Sequence, residues 1–222
     1  ELSLRQIMNG WESALEAAKK NIRFPKNLII SSFIDRLSSQ FHTLVFARYF
    51  STGVAGSVSL HHSVVSLPTS IIGNAVGDVF KRDASELLRT KGNCKELFFK
   101  TGLTLFAIAI LPTIILALFA PDLFVFVFGE NWKQAGEFSQ VLSIPFLFGF
   151  MVSPLSSIIY LENNQKYDIL LQGTLLVLLV ASMAYAVSTK NEMIAVIAFA
   201  ASYCIKYTIE LIISYLLSTK SI

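Results

Sequence analysis

An apolar stretch over residues 28–50 contains four side chains that can bind ions or phosphate groups: Asp35, Arg36, Gln40 and His42. On a helix, at about 100° per residue, they fall in one sector of roughly 160° that also holds Ser and Thr residues, opposite an apolar sector. An ionisable side chain inside a membrane is costly unless it pairs or reaches water, so it usually marks a pathway or a site. The stretch therefore predicts a helix that lines a polar cavity between membrane helices.

Two hypotheses remain open for Asp35 and Arg36, which point about 100° apart on such a helix and therefore do not stack on each other. In the first, each belongs to a static network of salt bridges with other helices. In the second, Arg36 binds a substrate phosphate through its planar guanidinium and Asp35 binds a coupling ion.

A second polar stripe lies near the C-terminal end of the chain. It contains Tyr203, Lys206, Tyr207, Glu210 and Ser214, at the i, i+3, i+4, i+7 and i+11 positions of one helical face. Lys206 lies near the middle of an apolar segment and should face protein or water. The stripe predicts either an internal Lys206–Glu210 pair or a cavity-facing pair that binds an anionic head group or exchanges a proton.

A third polar face occupies the segment between the first helix and a basic loop. Its members are small or polar: Ser59, His62, Ser63, Ser66, Ser70, Gly73 and Gly77. Small residues can let neighbouring helices approach closely, and polar residues can line a cavity. The presence of His62 on this face favours the cavity, whereas His61 is predicted to point the other way.

The composition predicts an all-α, polytopic membrane protein. The chain is 54% hydrophobic with a mean hydropathy of +0.60, and 15% of its residues are charged, whereas soluble domains carry about 25% charged residues. Six transmembrane helices are predicted, over residues 26–50, 54–80, 97–119, 138–161, 167–188 and 193–217. The net charge of +3 is too small to indicate a nucleic-acid partner.

The basic residues indicate the orientation of the predicted helices. They concentrate in and beside residues 1–25, 81–96, 162–166 and 218–222, whereas the other side carries Arg48, Lys133 and Lys190. Because cytoplasmic loops are enriched in Lys and Arg, both termini of this segment are predicted to be cytoplasmic. The basic loop at 81–96 either contacts anionic lipid head groups or serves only as a topological signal.

Two domains are predicted: a cytoplasmic linker with an amphipathic helix over residues 1–25, and a six-helix transmembrane lobe over residues 26–222. The polar start of the chain shows no signal peptide, and we expect the chain to be part of a longer protein. Residues 120–137 form the longest predicted outer connection, with a short segment in the membrane interface and Trp132 at head-group level.

The sequence contains no nucleophile elbow, zinc-protease motif or Walker loop that would indicate an enzyme. Cys94 and Cys204 lie far apart, which favours two unpaired thiols over a disulfide framework or a metal site. We therefore expect no catalytic residue, no metal and no cofactor.

Several motifs together resemble one family of membrane transporters. They are FPKN (24–27), RYF (48–50), GVAGSVSLHHSVVSLPTSIIGNAVGDVF (53–80), FGENWKQAG (128–136) and YLENNQKYDILLQ (160–172). The pattern is similar to that of Wzx-type lipid-linked oligosaccharide flippases of the polysaccharide transporter family, within the multidrug/oligosaccharidyl-lipid/polysaccharide exporter superfamily. The chain departs from the family pattern at Ala55, where Val is usual, and at Val58, where Tyr is usual.

The resemblance implies a transporter of two six-helix lobes around a cationic cavity, of which this chain would be the C-terminal lobe. Such flippases move undecaprenyl-diphosphate-linked sugar repeats across the bacterial inner membrane for surface polysaccharide synthesis, coupled to a proton or sodium gradient. The implied substrate contacts are Arg36, Lys206, His62, Gln40 and Tyr207, and the implied ion-coupling residues are Asp35 and Glu210. The implied partners are the lipid-linked oligosaccharide, membrane lipids and an N-terminal lobe of the same protein.

Three alternatives remain. A multidrug or cation antiporter of the same superfamily would require acidic residues to dominate the cavity, whereas Arg36 and Lys206 counterbalance Asp35 and Glu210 here. A membrane enzyme of glycan assembly, such as a polymerase or ligase, usually has a larger outer loop. A structural lobe without activity of its own is what we expect of these 222 residues in isolation.

Overall fold

The computed structural model describes residues 23–161, 164 and 166–219. Within these residues there is no strand, and six α-helices follow one another along the chain. They are α1 (Arg23–Val45), α2 (Thr52–Lys91), α3 (Lys95–Phe128), α4 (Lys133–Leu155), α5 (Lys166–Thr189) and α6 (Glu192–Ser218). The all-α prediction is thus confirmed, and the amphipathic helix predicted in residues 1–25 lies almost wholly outside the described residues.

Short helical turns of other types complete three of the connections. A π-helical turn, Phe46–Phe50, follows α1 directly, and 3-10 turns at Glu130–Trp132 and Ser156–Tyr160 precede and follow α4. Gly92 ends α2 in the left-handed conformation, with φ of 73° and its N–H donating to the Leu88 carbonyl, as is common after a helix.

Four of the described helical segments are long and apolar enough to cross a membrane: Lys95–Phe128, Glu130–Tyr160, Lys166–Thr189 and Glu192–Ser218. A fifth is obtained if Thr52–Ser66 and Thr69–Lys91, bent by 44°, are counted as one broken span. The sequence has Pro68 at this break, where a proline interrupts helical hydrogen bonding. The chain is therefore a helical membrane protein, and the sixth span, which would be the more polar α1, stays a prediction together with the two-lobe arrangement.

Helix α4 lies at the centre of the bundle. It packs against α3, α2 and α6, and 61% of its apolar segment is buried, compared with 22% for that of α3. Helix α5 packs on α6, and α1 packs on α5. Helices α1 and α2 approach each other chiefly at the π-helical turn between them and diverge from there; we call the space between the two helices the cleft.

The close packing of α3 and α4 depends on a glycine. A Cβ atom added to Gly136 would lie 2.4 Å from the Pro121 Cα and 2.6 Å from the Ala120 carbonyl oxygen. Any larger residue at position 136 would therefore force the two backbones apart, because both of these atoms belong to the main chain. This pair of helices carries the FGENWKQAG motif at its turn.

A hydrogen bond from α4 supports a proline inside α3. Pro121 has no N–H, so the Ala117 carbonyl one turn earlier lacks its usual helical donor. The Gln140 Nε2 atom donates to that carbonyl at 3.0 Å. This contact lets α3 continue through Pro121 to Phe128, whereas the sequence predicted a separate interfacial segment there. The predicted helix end at residue 119 was wrong because the tertiary partner that satisfies the freed carbonyl lies 23 residues away in the sequence, whereas the interfacial position of the segment stays a prediction.

Most of the exposed basic side chains lie at one end of the bundle, which we call the basic end. Alternation of helix direction brings together here the C-terminal ends of α2, α4 and α6 and the N-terminal ends of α3 and α5. The Cys94 N–H donates to the Ser218 carbonyl at 2.9 Å, which ties the start of α3 to the end of α6. Leu88, Cys94, Phe98 and Leu217 share one buried core at this end.

We predict that Gln140→Leu destabilises the protein by about 1 kcal/mol, because it keeps the side-chain volume but leaves the Ala117 carbonyl without a donor. In a Pro121→Ala background, where the helix regains its own N–H donor, the same substitution should cost much less. Thermal unfolding of all four forms in detergent gives the coupling energy by a double-mutant cycle. An equal cost of Gln140→Leu in both backgrounds would refute this account of the helix.

Candidate functional site

A buried ion pair lies in the middle of α6. The Lys206 Nζ and Glu210 Oε2 atoms are 2.6 Å apart, and the two side chains are only 10% and 9% exposed. The i, i+4 spacing on one helix brings them together, as the sequence predicted. In the structure the Lys206 charge is therefore balanced by Glu210, so Lys206 can bind an external anion only if Glu210 releases it.

An aromatic ladder connects this ion pair to α1. Ring centroids are 4.5 Å apart for His42 and Phe199, 4.9 Å for Phe199 and Tyr203, and 6.0 Å for Tyr203 and Tyr207. The Lys206 Nζ atom lies 4.7 Å from the centre of the Tyr207 ring, which is a cation–π distance. His42 of α1 and the Lys206–Glu210 pair of α6 therefore lie at the two ends of one row of contacting aromatic rings.

Gly149 of α4 makes room for the last ring of this ladder. A Cβ atom at Gly149 would lie 2.9 Å from the Tyr207 hydroxyl oxygen. Helix α4 therefore has no side chain at the position that the Tyr207 phenol contacts.

Helix α5 and the turn before it add polar groups that the sequence analysis missed. The Tyr160 hydroxyl lies near Asp168, which is buried with 8% exposure. One helical turn further along α5 and α6, the Gln172 Oε1 and Ser214 Oγ atoms are buried and have no hydrogen-bond partner among the described residues. We call Tyr160, Asp168, Lys206, Glu210, Tyr203 and Tyr207 the polar cluster. Asp168 was not among the predicted site residues, because it entered the sequence analysis only as part of the YLENNQKYDILLQ motif (160–172).

Asp35 of α1 faces the polar cluster. It lies within electrostatic range of Tyr160, Tyr203 and Tyr207, the last two of which share the α6 stripe with the Lys206–Glu210 pair. The Asp35 residue itself is exposed, so it lies at the open side of the cluster. The structure thus brings together four of the seven predicted site residues: Asp35, Lys206, Tyr207 and Glu210.

Arg36 and Gln40 lie on the same helix but on its outer surface. Both are exposed, and Arg36 is in no ion pair with any residue that the structure describes. The buried line of α1 runs through Ser31 and Ser38, which are 2% and 1% exposed. At about 100° per residue, Arg36 and Gln40 lie on the opposite side of α1 from this buried line, next to Phe33 and Leu44, which are 63% and 66% exposed.

His62 lies across the cleft from α1. It is exposed and close enough to His42 for the two rings to interact electrostatically. His61 points the opposite way, as predicted, and its Nδ1 atom is 2.8 Å from the Ser139 Oγ atom of α4. On the polar face of α2, Gly73 and Gly77 pack against Pro154, which is the predicted close approach of helices, whereas His62, Ser59, Ser63 and Ser70 are exposed and their place in a cavity stays a prediction.

The side chains of this arrangement are of types that bind small polar groups. Within the described residues, no group of three or more His, Cys, Asp and Glu side chains is placed to hold a metal ion. Helices α1, α2, α5 and α6 together offer the Arg36 guanidinium, which has no ion pair in the described part of the chain, as well as phenol, imidazole and carboxylate groups. Such groups bind phosphate, hydroxyl groups and small cations.

Two comparisons relate the chain to known proteins. The family described as polysaccharide biosynthesis protein matches residues 4–137, which is more than half of the chain. The lipopolysaccharide biosynthesis protein WzxC of Escherichia coli (strain K12) is 26% identical over 154 residues, which are 68% of this chain and 30% of WzxC. The chain thus spans less than a third of that relative. No solved structure matches.

We predict that Lys206→Met and Glu210→Met each destabilise the protein by about 3–5 kcal/mol, because each leaves one buried charge without its partner. The double variant Lys206→Met/Glu210→Met removes both charges and should be close to the wild type in stability. Thermal unfolding and the yield of protein in the membrane fraction measure both effects. A double variant as unstable as the sum of the single variants would show that the two charges do not act as a pair.

Proposed function

The chain belongs to the polysaccharide biosynthesis protein family, which confirms the resemblance identified from its motifs, and from that premise we propose that it forms one lobe of a membrane flippase. The flippase carries undecaprenyl-diphosphate-linked oligosaccharide repeat units across the bacterial inner membrane for surface polysaccharide synthesis. The observation that carries the proposal is the exposed Arg36 of α1, which is in no ion pair among the described residues and follows Asp35, the residue of α1 that lies near the polar cluster.

The transport problem explains why such a cleft is needed. A diphosphate linked to sugars cannot enter hydrocarbon without a large desolvation cost. A polar cleft that opens alternately to each side of the membrane removes this barrier while the prenyl chain stays in lipid. The missing half of the cavity is supplied by an N-terminal lobe of the same protein, against which the polar faces of α1 and α2 are placed.

Each predicted contact has a chemical role in this proposal. Arg36 binds the diphosphate through its planar fork of N–H donors. Gln40, His62 and Tyr207 offer hydrogen bonds to the phosphate and sugar oxygens. The exposed basic end lies on the cytoplasmic side, where the substrate is synthesised, and both termini of this segment lie there as well.

Ion coupling follows from the Lys206–Glu210 pair. When Glu210 accepts a proton, its attraction for Lys206 falls and the ammonium group becomes available to the substrate phosphate. When the proton leaves, the pair forms again and the phosphate is released. Asp35, at the open side of the polar cluster, binds the coupling proton, or a sodium ion in the same place, on its way to the pair.

Asp168 supports a second candidate function. It adds a buried carboxylate to a cluster that already contains Glu210 and faces Asp35, and an acidic cavity is what a multidrug or cation antiporter of the same superfamily requires. The unpaired Arg36 opposes this, because an exposed guanidinium at the cleft repels cationic substrates. No structural observation favours a membrane enzyme of glycan assembly.

We predict that Arg36→Ala in the full-length protein lowers surface polysaccharide by tenfold or more, and that Arg36→Lys restores only part of it, because an ammonium group cannot bind the diphosphate bidentately. Surface glycan is measured beside the amount of protein in the membrane fraction. The matched control is Arg82→Ala, which removes an exposed arginine that pairs with its neighbour Asp83. Normal glycan in the Arg36→Ala variant would exclude Arg36 from substrate binding.

We further predict that the stable double variant Lys206→Met/Glu210→Met inserts normally but transports poorly, because the coupling pair is absent. Dependence of substrate flipping on an imposed proton or sodium gradient, measured in vesicles that contain the full-length protein, should be lost. A double variant that transports at the wild-type rate, with the wild-type dependence on the gradient, would exclude the pair from coupling. An antiporter would instead export cationic drugs in the same vesicles.

A further inference from the structure

The cations of the basic end are mostly free of ion pairs. Those exposed are Lys81, Arg82, Arg89, Lys91, Lys95, Lys100 and Lys166. Within the described part of the chain, only Arg82 of this set forms an ion pair, with Asp83. Nearby acidic residues such as Glu86 and Glu96 therefore leave the other cations available to anions from outside the protein.

At this end, α3 and α6 are in contact through Lys95, Phe98, Phe99 and Tyr215, and we call this contact the seam. The Lys95 Nζ atom lies 6.0 Å from the centre of the Tyr215 ring. The Phe98 and Phe99 rings surround the same tyrosine, with centroids 6.1 and 5.7 Å from it. Lys95 and Phe99 are four residues apart and share one face of α3, and the Tyr215 ring of α6 contacts both. The Lys95 ammonium group, the Tyr215 phenol and the Phe99 ring therefore follow one another along the axis of α3.

Two features fix this seam in place. The Cys94–Ser218 main-chain hydrogen bond joins α3 to α6 directly beside Lys95. Leu88 is buried in the core that also contains Phe98, and it holds the end of α2, with the exposed Lys91, against the same end of the bundle. The seam is therefore a preformed surface rather than a chance position of one flexible lysine.

The surface below the seam is apolar. Phe99 is 57% exposed, and Leu103, one turn further along α3, is 70% exposed. A water-soluble acidic partner would leave these side chains uncovered, whereas an acyl chain would cover them. A cation at head-group level, an aromatic side chain at the interface and exposed apolar side chains below it match the layers of a phospholipid.

We infer that this seam binds an anionic phospholipid, with the phosphate on Lys91 and Lys95, a hydrogen bond from the Tyr215 hydroxyl, and the upper acyl carbons on Phe99. Basic residues next to a membrane attract anionic lipids electrostatically, and here the α3–α6 seam gives them a defined place. The site lies outside the transport cleft, and it does not depend on which substrate the cleft carries.

A lipid titration of the full-length protein tests the site. Phosphatidylglycerol added to protein in neutral detergent should raise the thermal unfolding midpoint, whereas phosphatidylcholine should not. In Lys91→Gln/Lys95→Gln the gain should fall to half or less, and in the matched control Lys133→Gln/Lys190→Gln, at the opposite end, it should be unchanged. An equal gain in both double variants, or the same gain from inorganic phosphate alone, would overturn the inference.

A second measurement keeps the native lysines. Benzoylphenylalanine in place of Phe99 should cross-link phosphatidylglycerol in membranes at least threefold more than the same residue in place of Leu118, another exposed position on α3. Equal cross-linking at both positions would overturn the site. Cross-linking of undecaprenyl diphosphate in place of phosphatidylglycerol would also overturn it, because the seam would then receive substrate. Neither readout requires transport, so a failure here is distinct from a failure of the proposed flippase activity.

Discussion

The constraint that governs this molecule is the cost of placing charge and unpaired polar groups in hydrocarbon. The Lys206–Glu210 pair meets it by mutual neutralisation at 2.6 Å inside a single helix. The rest of the site is arranged around that pair: the aromatic ladder lies between it and His42 of α1, Gly149 makes room for the Tyr207 phenol, and Asp35 lies at the exposed side. The same constraint acts on the main chain, where Gln140 donates a hydrogen bond to the Ala117 carbonyl, which Pro121 leaves without its helical donor.

The features that depend on helical periodicity were predictable from the sequence. The stripe of α6, the opposite directions of His61 and His62, and the pairing of Lys206 with Glu210 all follow from a spacing of 3.6 residues per turn. The polar faces of α1 and α2 also follow from this spacing. In each case the residues that decide the feature lie within a few turns of one another.

The features that depend on contacts between distant segments were not predictable. Asp168 joins the site because the packing of α4, α5 and α6 brings Tyr160 and the stripe of α6 to it, which no spacing in the sequence reveals. The continuation of α3 to Phe128 depends on Gln140, and the α3–α4 approach depends on Gly136 facing the backbone at Pro121. The spacing places Arg36 on a helix face, and among the described residues that face is exposed.

Helix α2 has a mechanical property that arises from its bend. The segment Thr69–Lys91 is about 35 Å long at 1.5 Å per residue, which exceeds the hydrocarbon thickness of roughly 30 Å. A rotation of about 10° at the 66–69 break would therefore sweep its far tip through about 6 Å, by the same geometry. A small rotation at the break therefore becomes a displacement of several ångströms at the Lys91 end of α2.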